Sequence, residues 1–495
     1  MKANRFNPFW LWFGIALLLS ILPFRLYGHA FGERYDLPLP MNLYLAAAAL
    51  VVLLSFILAT YIIRDGKVFK HYHLTLLDLS SQPALTTTLI FLLRLFGVLL
   101  FLFVLACGFF GDQDTFNNFS PTFVWVIWWV GLAFFSALIG NVWSLINPWL
   151  SLALLSKWLY STFSEKELHD QQNRLNKTRP YPKWLSAWPS VISLLIFSWL
   201  ELIWPGSEKP MNIAILIVLY SAYIWVGMYC FGIYNWLHHA EIFNRIFTLF
   251  GRFAPFSFSS GKVQLRLPGT GLTNDHAERF SSSLFIILLL SIVSFDGLLE
   301  TPLWQSVLDA IAQSEFLRPT LLDLQNRGVD LITLIKSVAL MLAPLLLMFV
   351  YLLFCKLSSM ASGSYMPIEE VAGQYIYSLV PIALAYHISH YLSYLLIAGQ
   401  QIIPLISDPF GFGWNLFNTT HHHLDISVVN AKMVWYSAVF SIVLGHIIAV
   451  TLAHVRALQI YHNRVQVFKS QLPLVVLMIA YTLLSLWILS QPIVE

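Results

Sequence analysis

The sequence predicts an all-α fold, a single polytopic transmembrane bundle of about eleven spans occupying 1–495, with the N-terminus inside and the C-terminus outside. Three observations predict it. Of the 495 residues, 58% are hydrophobic and only 11% are charged, where a soluble domain carries about a quarter. Apolar stretches near the roughly 20 residues needed to cross a bilayer core recur from one end of the chain to the other. Basic residues gather in alternate loops, which is the topology signal of a membrane protein.

Spans are expected near 9–24, 42–63, 86–110, 122–140, 187–204, 212–236, 282–299, 331–354, 371–398, 432–454 and 472–490. The first and fifth are short. The first has a basic start and a brief apolar run, the shape of a signal peptide, but Leu26 stands where cleavage wants a small residue. It is read as an uncleaved anchor. Segment 147–160 is apolar with a polar tail and is read as an interfacial or re-entrant helix.

Loop charge sets the orientation. Lys2 and Arg5, then Arg64, Lys67 and Lys70, then Lys157 to Lys183, then Arg245 to Arg279, then Arg456, Arg464 and Lys469 fall on one side. The other side has few bases, and its loop 111–121 has Asp112 and Asp114 and none. The rule that positive loops stay inside places the basic side in the cytoplasm. The net charge of +3 is topology rather than a nucleic-acid footprint. The expected partners are the lipid bilayer and a small apolar substrate or ion, with no nucleic acid. Cys107, Cys230 and Cys355 are sparse and odd in number, so they read as apolar packing residues and not as a disulfide framework.

Ionisable residues inside spans cost roughly 2.5–3.5 kcal/mol on insertion scales and mark function. His387 and His390, three apart, share one face of span 371–398 just outward of the midplane. Glu201 and Asp296 fall at the outer ends of spans 187–204 and 282–299, with Glu300 just beyond. His446 lies near the middle of span 432–454, and His29 lies in the first outer loop. Histidines spaced i, i+3 with carboxylates from neighbouring helices suit a divalent metal (Zn, Fe, Mn or Cu) held by His387, His390, Asp296 and His29. Asp296, Glu201 and His446 are the candidate catalytic groups. The same set without metal makes a proton relay, or simply interhelical hydrogen bonds that fix packing. The outer tract His421-His422-His423 reads as a solvated loop. No Walker loop, dinucleotide glycine fingerprint, Cys-based metal motif or nucleophile elbow is present, which weighs against ATP-driven transport and serine hydrolysis.

Several strings together carry a resemblance. They are His29-Ala-Phe-Gly-Glu-Arg-Tyr-Asp-Leu-Pro, Pro121-Thr-Phe-Val-Trp-Val-Ile-Trp-Trp, Gly140-Asn-Val-Trp-Ser-Leu-Ile-Asn-Pro-Trp and Phe295-Asp-Gly-Leu-Leu-Glu-Thr-Pro-Leu-Trp, followed by Ala385-Tyr-His-Ile-Ser-His-Tyr, Ser407-Asp-Pro-Phe-Gly-Phe-Gly-Trp and Ala453-His-Val-Arg-Ala-Leu. In this order, over nearly the whole chain, they resemble a family of bacterial integral-membrane proteins often labelled fenitrothion hydrolase. The resemblance implies a multi-pass protein of the bacterial inner membrane and an organophosphate-ester hydrolase activity, with no catalytic residues to carry over. Two functional expectations follow. One is a membrane-embedded, metal-dependent hydrolase of apolar phosphoester-like substrates, acting in the outer half of the bilayer. The other is a transporter or metal- or proton-handling protein that uses the same His/acid face.

Overall fold

The computed structural model describes residues 40–491 apart from 67–72, 164–178, 260, 274–275 and 365. The expected span 9–24, and His29 with it, lie outside the described residues. In chain order the principal elements are α1 (Met41–Ile62), β1 (His73–Asp78), α2 (Pro83–Phe110), α3 (Phe119–Leu138), α4 (Pro148–Phe163), α5 (Trp188–Leu202), α6 (Pro210–Phe231) and α7 (Ile242–Phe253). They continue with β2 (Phe256–Ser259), β3 (Lys262–Arg266), α8 (Phe280–Leu299), α9 (Leu331–Ser362), α10 (Ile368–Ser407), α11 (Ala431–Ile460) and α12 (Arg464–Leu489).

Among the described residues, nine helices are long and apolar enough to cross a membrane, all of these except α4, α5 and α7. The chain is a multi-pass membrane protein built as a helical bundle. Lipid leaves the backbone no other hydrogen-bond partner, so each apolar run must close its own ladder as a helix. The starts are marked where the sequence allows. Pro83 and Pro210 sit in the first turns of α2 and α6, where no donor is lost. Asp330, Asn430 and Asn463 accept from the first-turn amides of α9, α11 and α12. Gly363 ends α9 in the left-handed region at φ 67°.

The expected span 187–204 forms only 15 helical residues, about 22 Å at 1.5 Å per residue, against a core roughly 30 Å thick. Pro205 disfavours helix at Trp204 just before it, so α5 stops early and leaves Glu201 near its last turn. Centre and periphery separate by burial. In α8, 78% of the apolar window is buried, against 11% in α2. The central α8 packs on α5, α9 and α10, while α10 packs on α11, and α11 and α12 enclose α1.

Loop contacts sort into two groups. Segment 111–119 meets 408–414 through Asp112 N to Phe410 O (2.7 Å) and Phe119 N to Pro409 O (3.1 Å), and Met211 N donates to Gln113 Oε1 (3.0 Å). The basic loops meet elsewhere. Arg279 Nη1 donates to Lys183 O (2.6 Å), Glu278 N to Gly373 O (3.0 Å) and Gln459 Nε2 to Gly66 O (2.8 Å).

Two features were not anticipated by the sequence reading. Basic loops 64–85 and 237–281 meet as a three-stranded antiparallel sheet in the order β1–β3–β2, with Lys262 and Asp78 paired at 3.0 Å. After α6 the chain turns at Gly232 (φ 90°), forms the short helix Ile233–His239 and sends α7 back into the bundle. Ile242, Phe243, Ile246, Phe247 and Phe250 are buried on one face of α7, while Asn244, Arg245, Thr248 and Arg252 are only half-buried. Irregular backbone at such depth is tolerated because protein, not lipid, surrounds it. Glu241 meets the need for partners by accepting from Phe243 N, Asn244 N and the Tyr220 hydroxyl.

Candidate functional site: a carboxylate–histidine–tyrosine cluster

Asp296 sits on the central helix α8, one turn before its end. Its Oδ2 accepts from the Tyr391 hydroxyl at 2.6 Å and lies 2.9 Å from His390 Nε2, so two neighbours on α10 converge on one carboxylate oxygen. Side-chain exposure is 11% for His390 and 17% for Asp296, which puts the pair inside the bundle. Such a pair exchanges lost hydration for short, charge-assisted bonds. Gly297 lets Tyr386 pack closely beside the pair. A Cβ there would stand 2.9 Å from the Tyr386 hydroxyl and 3.7 Å from His390 Nδ1.

Glu201 arrives from α5, and Trp129 of α3 donates to its Oε1 at 2.5 Å. Trp129 lies in a stretch of α3, Thr122–Gly131, wound as a wider π-helix, a distortion frequent at functional sites. The second oxygen of Glu201, Oε2, is buried without a hydrogen-bond partner among the described residues. Glu201, Asp296 and Glu300 lie within electrostatic range of one another's cluster: Asp296 acts on Glu201, and Glu300 on His390.

His387 is 3% exposed. Its ring packs on Tyr391 (4.8 Å between centroids), Trp129 (6.1 Å), Phe134 (5.9 Å) and Phe250 (6.0 Å), and its Nε2 is buried without a partner. Both histidines thus flank Tyr391, but only His390 reaches the carboxylate. Phe250 belongs to α7, so the apolar face of the re-entrant helix forms one wall of the site.

The structure joins Asp296, His390 and Tyr391 by hydrogen bonds, sets His387 against Tyr391, and ties Glu201 to Trp129 beside them; Tyr391 and Trp129 were not among the candidate residues. These two were missed because aromatics in a span read as packing. The one signal was Tyr391 following His390 directly. His446 stands apart. Its Nδ1 meets Ile442 O at 2.8 Å, its ring lies 6.3 Å from Tyr481, and among the described residues no hydrogen bond or ring contact ties it to Asp296 or His390.

The metal expectation names His387, His390, Asp296 and His29. Among the described residues no three His, Cys, Asp or Glu side chains gather as a metal would need. His390 Nε2 is occupied by Asp296, and His387 turns into an aromatic box. What the cluster does offer is a hydrogen-bonded donor–acceptor chain flanked by two buried atoms that lack partners. Comparison with protein-family models, curated proteins and solved structures found no match for the chain.

Proposed function

We propose that this chain is a proton-handling transport protein of the bacterial inner membrane, with its basic loops in the cytoplasm. In this reading Asp296, His390, Tyr391 and Glu201 hold and pass a proton in the outer half of the bilayer. The observation that carries it is the shared Asp296 oxygen, 2.9 Å from His390 Nε2 and 2.6 Å from the Tyr391 hydroxyl, deep among membrane-crossing helices. Charged groups at such depth are costly and recur along proton and ion paths. Imidazole changes protonation near neutral pH, and a tyrosine hydroxyl both donates and accepts. The partnerless Glu201 Oε2 and His387 Nε2 supply further places for a water or proton.

The test is proton flux into liposomes holding the purified protein and a trapped pH dye. The wild type is expected to dissipate an imposed pH gradient, and Asp296→Asn to fall to the level of empty vesicles. Equal flux in the variant and the wild type would overturn the reading.

A second reading, hydrolysis of apolar phosphoesters, is favoured by one feature. Asp296 fixes His390 through Nε2, as a carboxylate orients an imidazole that acts as general base on water. Here a chromogenic organophosphate would be cleaved by the wild type, and His390→Ala would lose about a hundredfold. Elemental analysis of the wild type beside His387→Ala/His390→Ala tests the divalent metal. Stoichiometric Zn, Fe, Mn or Cu that disappears in a folded variant supports a metal-assisted form of this reading.

A further inference from the structure

The face where the basic loops meet holds a cleft of about 740 Å³, within the size range of small-molecule sites. Its walls come from five places: 180–186 before α5, 235–239 after α6, the polar face of α7, 277–279 before α8, and Tyr377 near the start of α10. Four permanent cations, Lys183, Arg245, Arg252 and Arg279, face one carboxylate, Glu278. None of the four makes an ion pair among the described residues. Glu278 is itself occupied, accepting from the Tyr377 hydroxyl at 2.5 Å.

Arg245 is the most telling of the four. Its guanidinium lies 4.8 Å above the Phe285 ring, and its Nη1 donates to His238 O at 2.9 Å. Its Nε is buried with no hydrogen-bond partner among the described residues. Arg252 donates to the Tyr377 hydroxyl at 3.1 Å, which leaves most of its fork free. Burial holds the His238 imidazole below its ordinary value, and the neighbouring His239 and Arg245 lower it further. Half-buried Arg245 and Arg252 and exposed Lys183 and Arg279 thus share one carboxylate, a local excess of positive charge that an anion would offset. A guanidinium fork matches phosphate oxygens in pairs.

The cleft also sits at a membrane boundary, since its walls are the ends of helices that cross. Trp184, Trp188 and Phe280 stand exposed beside it, at 77%, 38% and 37%. Aromatic rings of this kind settle at headgroup level, where one side is wet and the other apolar.

We propose that this cleft is a binding site for a phosphoryl group, gripped by Arg245, Arg252, Arg279 and Lys183, and that the group is the headgroup phosphate of an anionic phospholipid. Acyl chains then leave past Trp188 and Phe280 along the bundle surface. The site is independent of the Asp296 cluster, which lies beyond the phenylalanine face of α7.

The test uses the full chain in nanodiscs of phosphatidylcholine doped with phosphatidylglycerol, with bound lipid counted by native mass spectrometry. The wild type is expected to retain one phosphatidylglycerol in preference to phosphatidylcholine. Arg252→Gln/Arg279→Gln is expected to hold it about tenfold more weakly. Inorganic phosphate is titrated separately by following thermal unfolding. Saturable stabilisation that the variant loses, without lipid preference, supports a soluble phosphoryl ligand at the same residues. Should the double variant fail to fold, Lys183→Gln serves, because that side chain is exposed and makes no hydrogen bond among the described residues. Equal retention of phosphatidylglycerol by wild type and variant, with no response to phosphate, overturns the proposal.

Discussion

Glu201 and Trp129 show how single residues hold the cluster together. A glutamate in the last turn of a short helix has one oxygen satisfied by an indole and one left bare. Removing the indole donor leaves both oxygens unpaired inside the bundle. Trp129→Phe is therefore expected to cost about 1–3 kcal/mol, read as a lower unfolding temperature in detergent. Glu201→Leu in the same background should restore much of the loss by removing the unpaired oxygens, and no recovery would show that the cost came from packing instead. Gly297 is the second lever. Alanine there meets the Tyr386 hydroxyl at 2.9 Å and Ile488 Cγ2 at 3.0 Å. Gly297→Ala is expected to destabilise by about 1–3 kcal/mol and to reduce proton flux by shifting Tyr386, whose ring lies 6.4 Å from that of His390, both measurable on one preparation. A variant with wild-type unfolding and flux would mean that the helices yield at no cost.

Among the elements, α7 carries the most consequence. One face supplies Phe243 and Phe250 to the walls around Trp129 and His387, at 6.1 and 6.0 Å between ring centroids. The other face supplies Arg245 and Arg252 to the basic cleft. A single 12-residue helix thus separates two polar regions with a layer of phenylalanine. Its position depends on close packing by glycine: a Cβ at Gly227 of α6 would fall 1.9 Å from the Trp236 ring, and one at Gly251 would fall 2.6 Å from Asn141 Cβ. Gly227→Ala is expected to loosen the arm that leads into α7, with a loss of about 1–3 kcal/mol. Faster amide hydrogen exchange across 242–253 than across α8 is the specific readout, and unchanged exchange in α7 would remove Gly227 from this role. The spacing of Ile242, Phe243, Ile246, Phe247 and Phe250 is a helical stripe visible in the sequence. It was masked by the arginines between, which made the segment look like part of a cytoplasmic loop.

At the scale of the whole molecule, the two groups of loop contacts define two faces. Cysteines placed at Thr115 and Asn415 are expected to react with a membrane-impermeant maleimide from one side of a vesicle, and cysteines at Ser80 and Gln264 from the other. All four labelling from the same side would break the topology. With the basic loops cytoplasmic, Thr115 and Asn415 label in intact cells. The small sheet that joins β1 to β2 and β3 ties loops almost two hundred residues apart on the basic face. Its strands are four to six residues long. Against apolar runs several times longer, so short an alternation leaves no clear mark in the sequence.

The membrane-crossing helices within the described residues were legible from residue order alone, because in lipid a long apolar run has only the helix open to it. Asp296, His387 and His390 could be picked out for the same reason, since a polar residue in such a run stands out, and all three lie inside the bundle. Which of these groups meet was not legible. His387 and His390 share a helix face, yet one reaches Asp296 and the other an aromatic box, while His446, at similar depth, lies by Tyr481. Periodicity fixes a residue's height and bearing on its own helix. It says nothing of which neighbour the helix turns toward, and that choice belongs to side-chain packing between α3, α5, α7, α8 and α10.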